Sequence, residues 1–395
     1  RIRISRTGSK RDVLMNPLYV YTDELLKYRF NDTHPFNQMR LKLTTDLLTD
    51  AGFLNDEDIV VPRIATDDEL ALVHTKEYIE AVRAAGHGDL TAEESAKYGL
   101  DSEDTPSFIN MHEKCAALVG ATLTAVDLVM TGQTDKALSL AGGLHHGFSG
   151  KASGFCVYND TAIACEYIAK KYGKKVLYID TDAHHGDGVQ WTFYSRNDVV
   201  TYSIHETGRY LFPGTGSATE RGTEEGFGYT VNLPIDAFTE DDSFLEVFKE
   251  SLERAIQTFE PDVILSQNGV DAHFRDPMTH LSLTSKSYEE IPRFVKDMAD
   301  KYTGGKWIAV GGGGYNIWQV VPRMWSQIWL AMKNIDAPAG PLPEAFIERY
   351  KMKCKVDFPV LWEDTLDDFT EIPRRVEITE KNKTTLERVL MYLDQ

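Results

Sequence analysis

The sequence predicts an α/β fold in which a mostly parallel central sheet is covered by helices on both faces, giving three layers. Three observations predict it. Short apolar runs such as Val176 to Ile179, Val263 to Leu265 and Trp307 to Val310 alternate with longer stretches of helical periodicity, the pattern of buried parallel strands joined by crossover helices. Polar or glycine-rich clusters follow those runs directly, at Gly142 to His146, Asp180 to Asp187, Asn268 to Asp271 and Gly311 to Tyr315, where open α/β sheets place their sites. Finally, 395 residues of which 42% are hydrophobic supply the core of one large domain or two smaller ones.

Taken in order, the chain opens with a basic stretch, residues 1–14, containing Arg1, Arg3, Arg6, Lys10 and Arg11. It reads as a disordered tail or a cloning remnant. A strand at Leu18 to Tyr21 leads through His34-Pro35 to a helix from about Asn37 to Asp50. Apolar residues recur at helical spacing through Glu77 to Ala85 and Phe108 to Met130, so helices dominate the first third. Alternation then sets in: strand Ala137 to Leu140, helix Asp160 to Lys171, strand 175–180, short helix Val189 to Tyr194 and strand 199–204. It continues with helix Glu240 to Phe259, strand 262–267, helix Lys286 to Tyr302, strand Trp307 to Val310 and helix Val321 to Met332. The main domain is therefore expected at 15–335. In residues 336–395, Pro338, Pro341, Pro343, Pro359 and Pro373 interrupt irregular sequence, before an amphipathic helix from about Thr379 with Leu386, Val389, Leu390 and Leu393 on one face. This extension is expected to wrap the main domain.

A formal net charge of -19 argues against nucleic acid, whose phosphates demand a basic surface, and favours positively charged partners such as lysine-bearing segments. The four cysteines, Cys115, Cys156, Cys165 and Cys354, form no CxxC pair and suit a reducing cytosol. No apolar run approaches the roughly 18 residues of a membrane span, and no apolar stretch follows the basic start as it would in a signal peptide. A cytoplasmic protein with no membrane partner is expected.

The chemistry centres on Asp180-Thr181-Asp182-Ala183-His184-His185-Gly186-Asp187. A polar cluster on the end of a buried strand is costly unless something pairs its groups, and a metal would pair these. In extended chain alternate side chains share a face, so Asp182 and His184 are expected to converge, with Asp180 beneath. Asp271, after the run Val263 to Gln267, would complete the set. An aspartate after a strand is more often a cap than a ligand; the neighbouring cluster is what raises the metal reading. Two carboxylates and one imidazole suit zinc or iron(II) with an open position, the mark of a catalytic site. Asp180 and Asp187 then remain to back the tandem His145-His146, fixing tautomers and raising basicity, so that one histidine serves as general base. The four glycines before Tyr315 lack the Lys-Ser/Thr of a phosphate loop. They read as a flexible arm whose tyrosine donates to an oxyanion; the competing reading is a tyrosine packed on a turn.

These motifs, with Ser153-Gly154-Phe155-Cys156 and Phe212-Pro213-Gly214-Thr215-Gly216, resemble the histone-deacetylase superfamily and its arginase-like α/β fold, from His34-Pro35 to the helix after Tyr315. Within it the chain is similar to the bacterial acetoin-utilisation deacetylases, through Tyr-Asn-Ile-Trp at 315–318 and the tail at 373–382. The resemblance implies hydrolysis of an acetyl-lysine amide in a protein, with acetyl-CoA synthetase, inactivated by lysine acetylation, the expected substrate. It implies zinc held by Asp182, His184 and Asp271. It also implies His146 backed by Asp187 as general base and acid, His145 backed by Asp180 as electrostatic partner, and Tyr315 polarising the acetyl carbonyl. Phe155 and Phe212 would wall the lysine stem beside Gly154, Met278 would line the mouth, and Asp104 would hold the substrate backbone at the rim. Arg40 would lie in an internal channel, and potassium would bind Asp180, Asp182, His184 and Ser203.

Departures bound the reading. Where corepressor-bound relatives grip an inositol phosphate with basic residues, this chain has Asn37, Pro277 and Trp318, so no such corepressor is expected. Ureohydrolases of the arginase type need a second metal held by an aspartate four residues after the first, and that position is Gly186. Deacetylases of small amines such as acetylpolyamines would share the whole catalytic set and remain the alternative. A non-catalytic acyl-lysine binder would be expected to lack the tyrosine or a histidine, and all are present.

Overall fold

The computed structural model describes residues 15–395 apart from 366 and 368; the basic stretch 1–14 lies outside the described residues. Eight strands are formed among the described residues: β1 (Leu18–Val20), β2 (Ile59–Val60), β3 (Lys136–Ser139), β4 (Val176–Asp180), β5 (Val199–Glu206), β6 (Thr230–Ile235), β7 (Val263–Gln267) and β8 (Trp307–Val310). They build one sheet in the order β2-β1-β3-β8-β7-β4-β5-β6. Every pairing between them is parallel, so the sheet predicted as mostly parallel is wholly so.

Strands β4, β7 and β8 are buried along their full length, which is why they read as unbroken apolar runs rather than alternating ones. Both edges escaped the sequence reading. β2 has only two residues, and β6, Thr-Val-Asn-Leu-Pro-Ile, carries a polar residue and a proline that only an edge strand tolerates.

The helices Met39–Asp50, Val321–Met332, Ser285–Tyr302 and Asp241–Phe259 pack in succession, and Arg375–Leu393 ends the row against Asp241–Phe259. A second group, Lys76–His87, Met111–Met130 and Asp160–Tyr167, packs around the long Met111–Met130 helix. After Tyr167 the expected helix tightens no further as α; Ile168–Tyr172 forms a π-helical turn that Gly173, at φ +61°, ends. The C-terminal helix begins at Arg375, earlier than apolar spacing alone indicates, because Arg375 is anchored by two bonds to Glu240 at 2.8 and 2.7 Å. Its buried face is Ile378, Asn382, Leu386, Val389 and Leu393, with Leu390 half-buried.

Ahead of that helix, Leu342, Phe346, Tyr350 and Trp362 pack on Leu43 and Leu47. Asp364 then ties the segment down, taking Arg323 Nη2 at 2.8 Å, His273 Nε2 at 2.7 Å and the Ser285 amide at 2.7 Å. Parallel strands put all their carboxyl ends along one edge. Because β3, β8, β7 and β4 are adjacent, the four clusters that follow them meet there.

Candidate active site

β4 ends at Asp180, and beyond it the chain turns instead of staying extended. The Asp182 amide donates to Asp180 Oδ1 at 3.1 Å, and the His184 amide donates to Asp182 Oδ1 at 2.9 Å. Successive aspartate turns of this kind, rather than strand alternation, bring Asp182 and His184 to one point. Asp271 joins them, with ligand atoms of the three within 4.8 Å of one another. His184 Nδ1 lies 3.2 Å from Asp182 Oδ1 and 2.9 Å from Asp271 Oδ2.

The outer oxygens are already committed. Asp182 Oδ2 accepts from the Gly313 amide at 2.7 Å and Gln267 Nε2 at 2.9 Å, and Asp271 Oδ1 accepts from the Ala183 amide at 2.9 Å. Burial, reinforced by the Asp182 charge, pushes Asp271 up to about 6; burial opposes protonation of His184, but the two carboxylates outweigh it and lift the imidazole well above its ordinary value. Two buried carboxylates competing for positive charge across one imidazole form a site that a divalent cation satisfies, and this donor set fits zinc or iron(II).

Behind the trio stand the tandem histidines. His145 Nδ1 is 2.6 Å from Asp180 Oδ2 and His146 Nδ1 is 2.7 Å from Asp187 Oδ1, with the two rings 4.1 Å apart. Burial depresses His145, yet Asp180 and Asp182 raise it to about 9; burial and the neighbouring His145 charge lower His146 to about 4. The pair thus divides into a charged ring and a neutral one, and His146, its Nδ1 held by Asp187, keeps Nε2 free to take a proton. The backbone before them is clamped by the buried Asp160 carboxylate, which accepts from the Leu144 amide at 2.8 Å, the Gly143 amide at 3.0 Å and Thr122 Oγ1 at 2.7 Å.

The glycine run is not a flexible arm. A Cβ on Gly311 would lie 2.2 Å from the Leu140 carbonyl oxygen, on Gly312 2.4 Å from Gln267 Nε2, and on Gly313 2.1 Å from Asp271 Oδ2. Glycine is required here because the backbone itself packs against the Leu140 carbonyl, Gln267 and the Asp271 carboxylate. Bonds pin it at successive residues: the Asn268 amide to the Gly311 carbonyl at 2.9 Å, the Val270 amide to the Gly313 carbonyl at 2.7 Å, and Arg40 Nη1 to the Gly314 carbonyl at 3.1 Å. Tyr315 follows, its amide donating to Asp276 Oδ2 at 2.9 Å.

Aromatic side chains flank this centre. Phe212 is 47% exposed and its ring sits 5.0 Å from that of His146; the Phe155 ring is 5.9 Å from that of Tyr315. A Cβ on Gly154 would come within 2.5 Å of His146 Cδ2 and 3.0 Å of Phe212 Cε1, so only glycine fits against these two rings. Met278 is exposed near them, its amide also held by Asp276 at 2.9 Å. Asp104 is exposed, its carbonyl accepting from His34 Nε2 at 2.9 Å while the His34 ring packs on Phe155 at 4.7 Å. Ser203 pairs in register with Asp180, but its hydroxyl bonds His205 Nδ1 at 2.8 Å. Arg40 is fully buried between Phe36 and Trp325.

With this geometry in place, the comparison with known families is decisive: a histone deacetylase domain matches residues 34–332. The chain belongs to the histone deacetylase family. This deacetylase is 56% identical over 377 residues to the acetoin utilization protein AcuC of Bacillus subtilis strain 168, covering 95% of this chain and 97% of that protein. It is 55% identical over 370 residues to AcuC of Staphylococcus aureus strain MRSA252, covering 94% and 95%. Among solved structures, an HDAC homolog from Aquifex aeolicus superposes with a TM-score of 0.82 at 29% identity, covering 93% of this deacetylase and 100% of that chain. An HDAC homolog complexed with SAHA matches with the same TM-score and identity, covering 95% and 99%. No helix among the described residues is long and apolar enough to cross a membrane.

Several residues of the deacetylase site were missed in the sequence. Gln267 is fully buried and braces Asp182 and the Gly143 carbonyl; a polar side chain ending an apolar strand was its one signal. Asp160 likewise stands at a helix start, where an aspartate normally reads as a cap. Tyr178, inside β4, donates to Asp180 Oδ2 at 2.7 Å. Asp276 had no local signal, being one acidic residue in an irregular loop.

Proposed function

We propose that this deacetylase hydrolyses Nε-acetyl-lysine side chains in proteins, releasing acetate, in the cytoplasm. Acetylated acetyl-CoA synthetase is the proposed substrate, in keeping with relatives named for acetoin utilisation. The observation that carries the reading is the grouping of Phe212 against His146, Phe155 against Tyr315 and Gly154 against both His146 and Phe212, beside the Asp182/His184/Asp271 trio. Aromatic walls with no Cβ at Gly154 suit a linear aliphatic stem, whose terminal amide would meet the polar groups beyond them.

Zinc, or iron(II), is assigned to Asp182, His184 and Asp271, and when bound it supplies Lewis-acid polarisation and activation of water. His146 Nε2 takes the proton of the attacking water while Asp187 holds the ring's other nitrogen, and later returns that proton to the leaving lysine amine. As the C–O bond forms, charge collects on the former carbonyl oxygen, and it returns to re-form the C=O bond as the C–N bond breaks. Tyr315 donates to that oxygen. His145, kept charged by Asp180, adds positive potential beside the reaction. Asp104 orients the substrate backbone at the rim, Met278 borders the mouth, and Arg40 lies in an internal passage below the centre. Potassium is assigned a structural place among Asp180, Asp182, His184 and Ser203. Without basic residues at positions 37, 277 and 318, no inositol-phosphate corepressor is included among the partners.

The test is acetate release from an acetyl-lysine peptide and from acetylspermidine, side by side, before and after chelation and zinc restoration. Faster metal-dependent turnover of the peptide is expected. Faster turnover of acetylspermidine would move the substrate to small amines, and metal-independent turnover would overturn the mechanism.

A further inference from the structure

One cleft outside the channel runs against the charge of the whole molecule. It encloses about 470 Å³ between the segment 207–218 and the C-terminal helix Arg375–Leu393. In a chain of formal net charge -19, its walls carry the cations Arg209, Lys381 and Arg388 against one carboxylate, Asp236. Lys381 and Asp236 answer each other at 3.5 Å. Neither Arg209 nor Arg388 has a side-chain hydrogen bond or a carboxylate partner among the described residues, whereas arginines elsewhere, such as Arg63, Arg196 and Arg323, each hold an acidic side chain. Thr215, Ser217 and Thr384 also line the cleft, their hydroxyls bonded to His185 Nδ1, Thr219 Oγ1 and the Glu380 carbonyl at 2.8, 3.0 and 3.0 Å.

We propose that this cleft binds a small phosphate-bearing molecule with at least two adjacent phosphate groups, gripped by Arg209 and Arg388. Two unpaired cations on facing walls call for a ligand carrying more than one negative charge. Planar guanidinium forks match phosphate oxygens in pairs, and Lys381 adds a third cation to the same lining. A single carboxylate has too few acceptor positions and too little charge to satisfy the guanidinium groups of both walls.

The same cleft is joined to the channel. Thr215 faces the cleft and bonds His185 Nδ1 at 2.8 Å, beside His184. Gly208 and Gly214 close the segment on itself, for a Cβ on Gly208 would meet the Gly214 carbonyl carbon at 2.6 Å. Phe212 therefore sits at the tip of a compact loop whose base forms one wall of the cleft, and an occupied cleft fastens that channel wall to the C-terminal helix.

The experiment is titration of the metal-loaded full chain with pyrophosphate, orthophosphate and a triglutamate peptide, followed by calorimetry and by ³¹P line broadening. Saturable binding of pyrophosphate at one site per chain is expected, weakening as salt rises and falling by roughly tenfold or more in Arg209→Ala and in Arg388→Ala. Both side chains are exposed, so the fold should survive either change. Arg83→Ala, on a distant helix, serves as the control and should bind as the unaltered chain does. Absence of saturable binding, equal loss in the Arg83 control, or preference for triglutamate would overturn the proposal. Because neither arginine touches the metal trio, pyrophosphate binding at the metal alone would persist in both variants, and that outcome also overturns it.

Discussion

Asp276 Oδ2 accepts the Tyr315 amide at 2.9 Å, while its Oδ1 accepts the Met278 amide at the same distance. One carboxylate, only 6% exposed, therefore fixes the backbone of Tyr315, the proposed oxyanion donor, and of Met278, proposed to border the mouth. Burial and the nearby Asp271 charge push it up to about 8, a strain that the two amide donors offset. Asp276→Asn replaces one acceptor with a donor facing an N–H. We expect kcat to fall by roughly tenfold to a hundredfold with metal content unchanged. Unaltered kcat would mean that the glycine run alone positions Tyr315.

Tyr315→Phe removes the hydroxyl and leaves the ring on Phe155. A loss of about 10² to 10³ in kcat is expected, the usual scale for an oxyanion donor, again with full metal content. Combining it with Asp276→Asn should add little, because both changes act through one hydroxyl. Fully multiplicative losses in steady-state kinetics would separate the two residues.

Asp271→Ala strips one of three ligands and should leave metal below one equivalent per chain by elemental analysis. Chelation of the unaltered enzyme should abolish acetate release, with recovery on adding zinc or iron(II). Hydroxamates should inhibit by binding the same metal, and their failure to do so would argue against an open metal position.

His74 accepts the Asn159 amide through Nε2 at 3.0 Å, and Asn159 in turn donates to the Gly147 carbonyl at 2.9 Å. Burial lowers His74 to about 4, against about 6.5 when unfolded. The unfolded chain binds the extra proton between these values, so this contribution is complete above the unfolded pKa and is lost as pH falls toward 4. It amounts to about 3 kcal/mol. Urea midpoints should drop from pH 7 to pH 5 more steeply in the unaltered chain than in His74→Gln; equal slopes would refute the assignment.

Asp364 is held well below the usual carboxylate range despite burial, by His273 and Arg323. Removing it strands a buried guanidinium. Asp364→Ala should cost about 3 to 5 kcal/mol, read as a lower denaturant midpoint, and a change under about 1 kcal/mol would show that the C-terminal segment is held by its apolar contacts instead.

Sequence alone made the parallel sheet legible, because β4, β7 and β8 are buried on both faces and their apolar runs are local. The candidate ligands Asp182, His184 and Asp271 and the pairs His145 with Asp180 and His146 with Asp187 were likewise visible as residue types after strand ends. What the tertiary structure decided is everything that depends on approach between distant segments. Gly313 reads as freedom in the sequence but is contact in the fold, since the Asp271 carboxylate fills the space of its missing Cβ. Asp276, Gln267 and the cationic cleft between residues 207–218 and the last helix carry no periodic signal. The physical reason is that periodicity records which face of an element is buried, whereas a hydrogen bond from Tyr315 to Asp276, or an unpaired Arg388 facing Arg209, exists only once chain closure sets their separation.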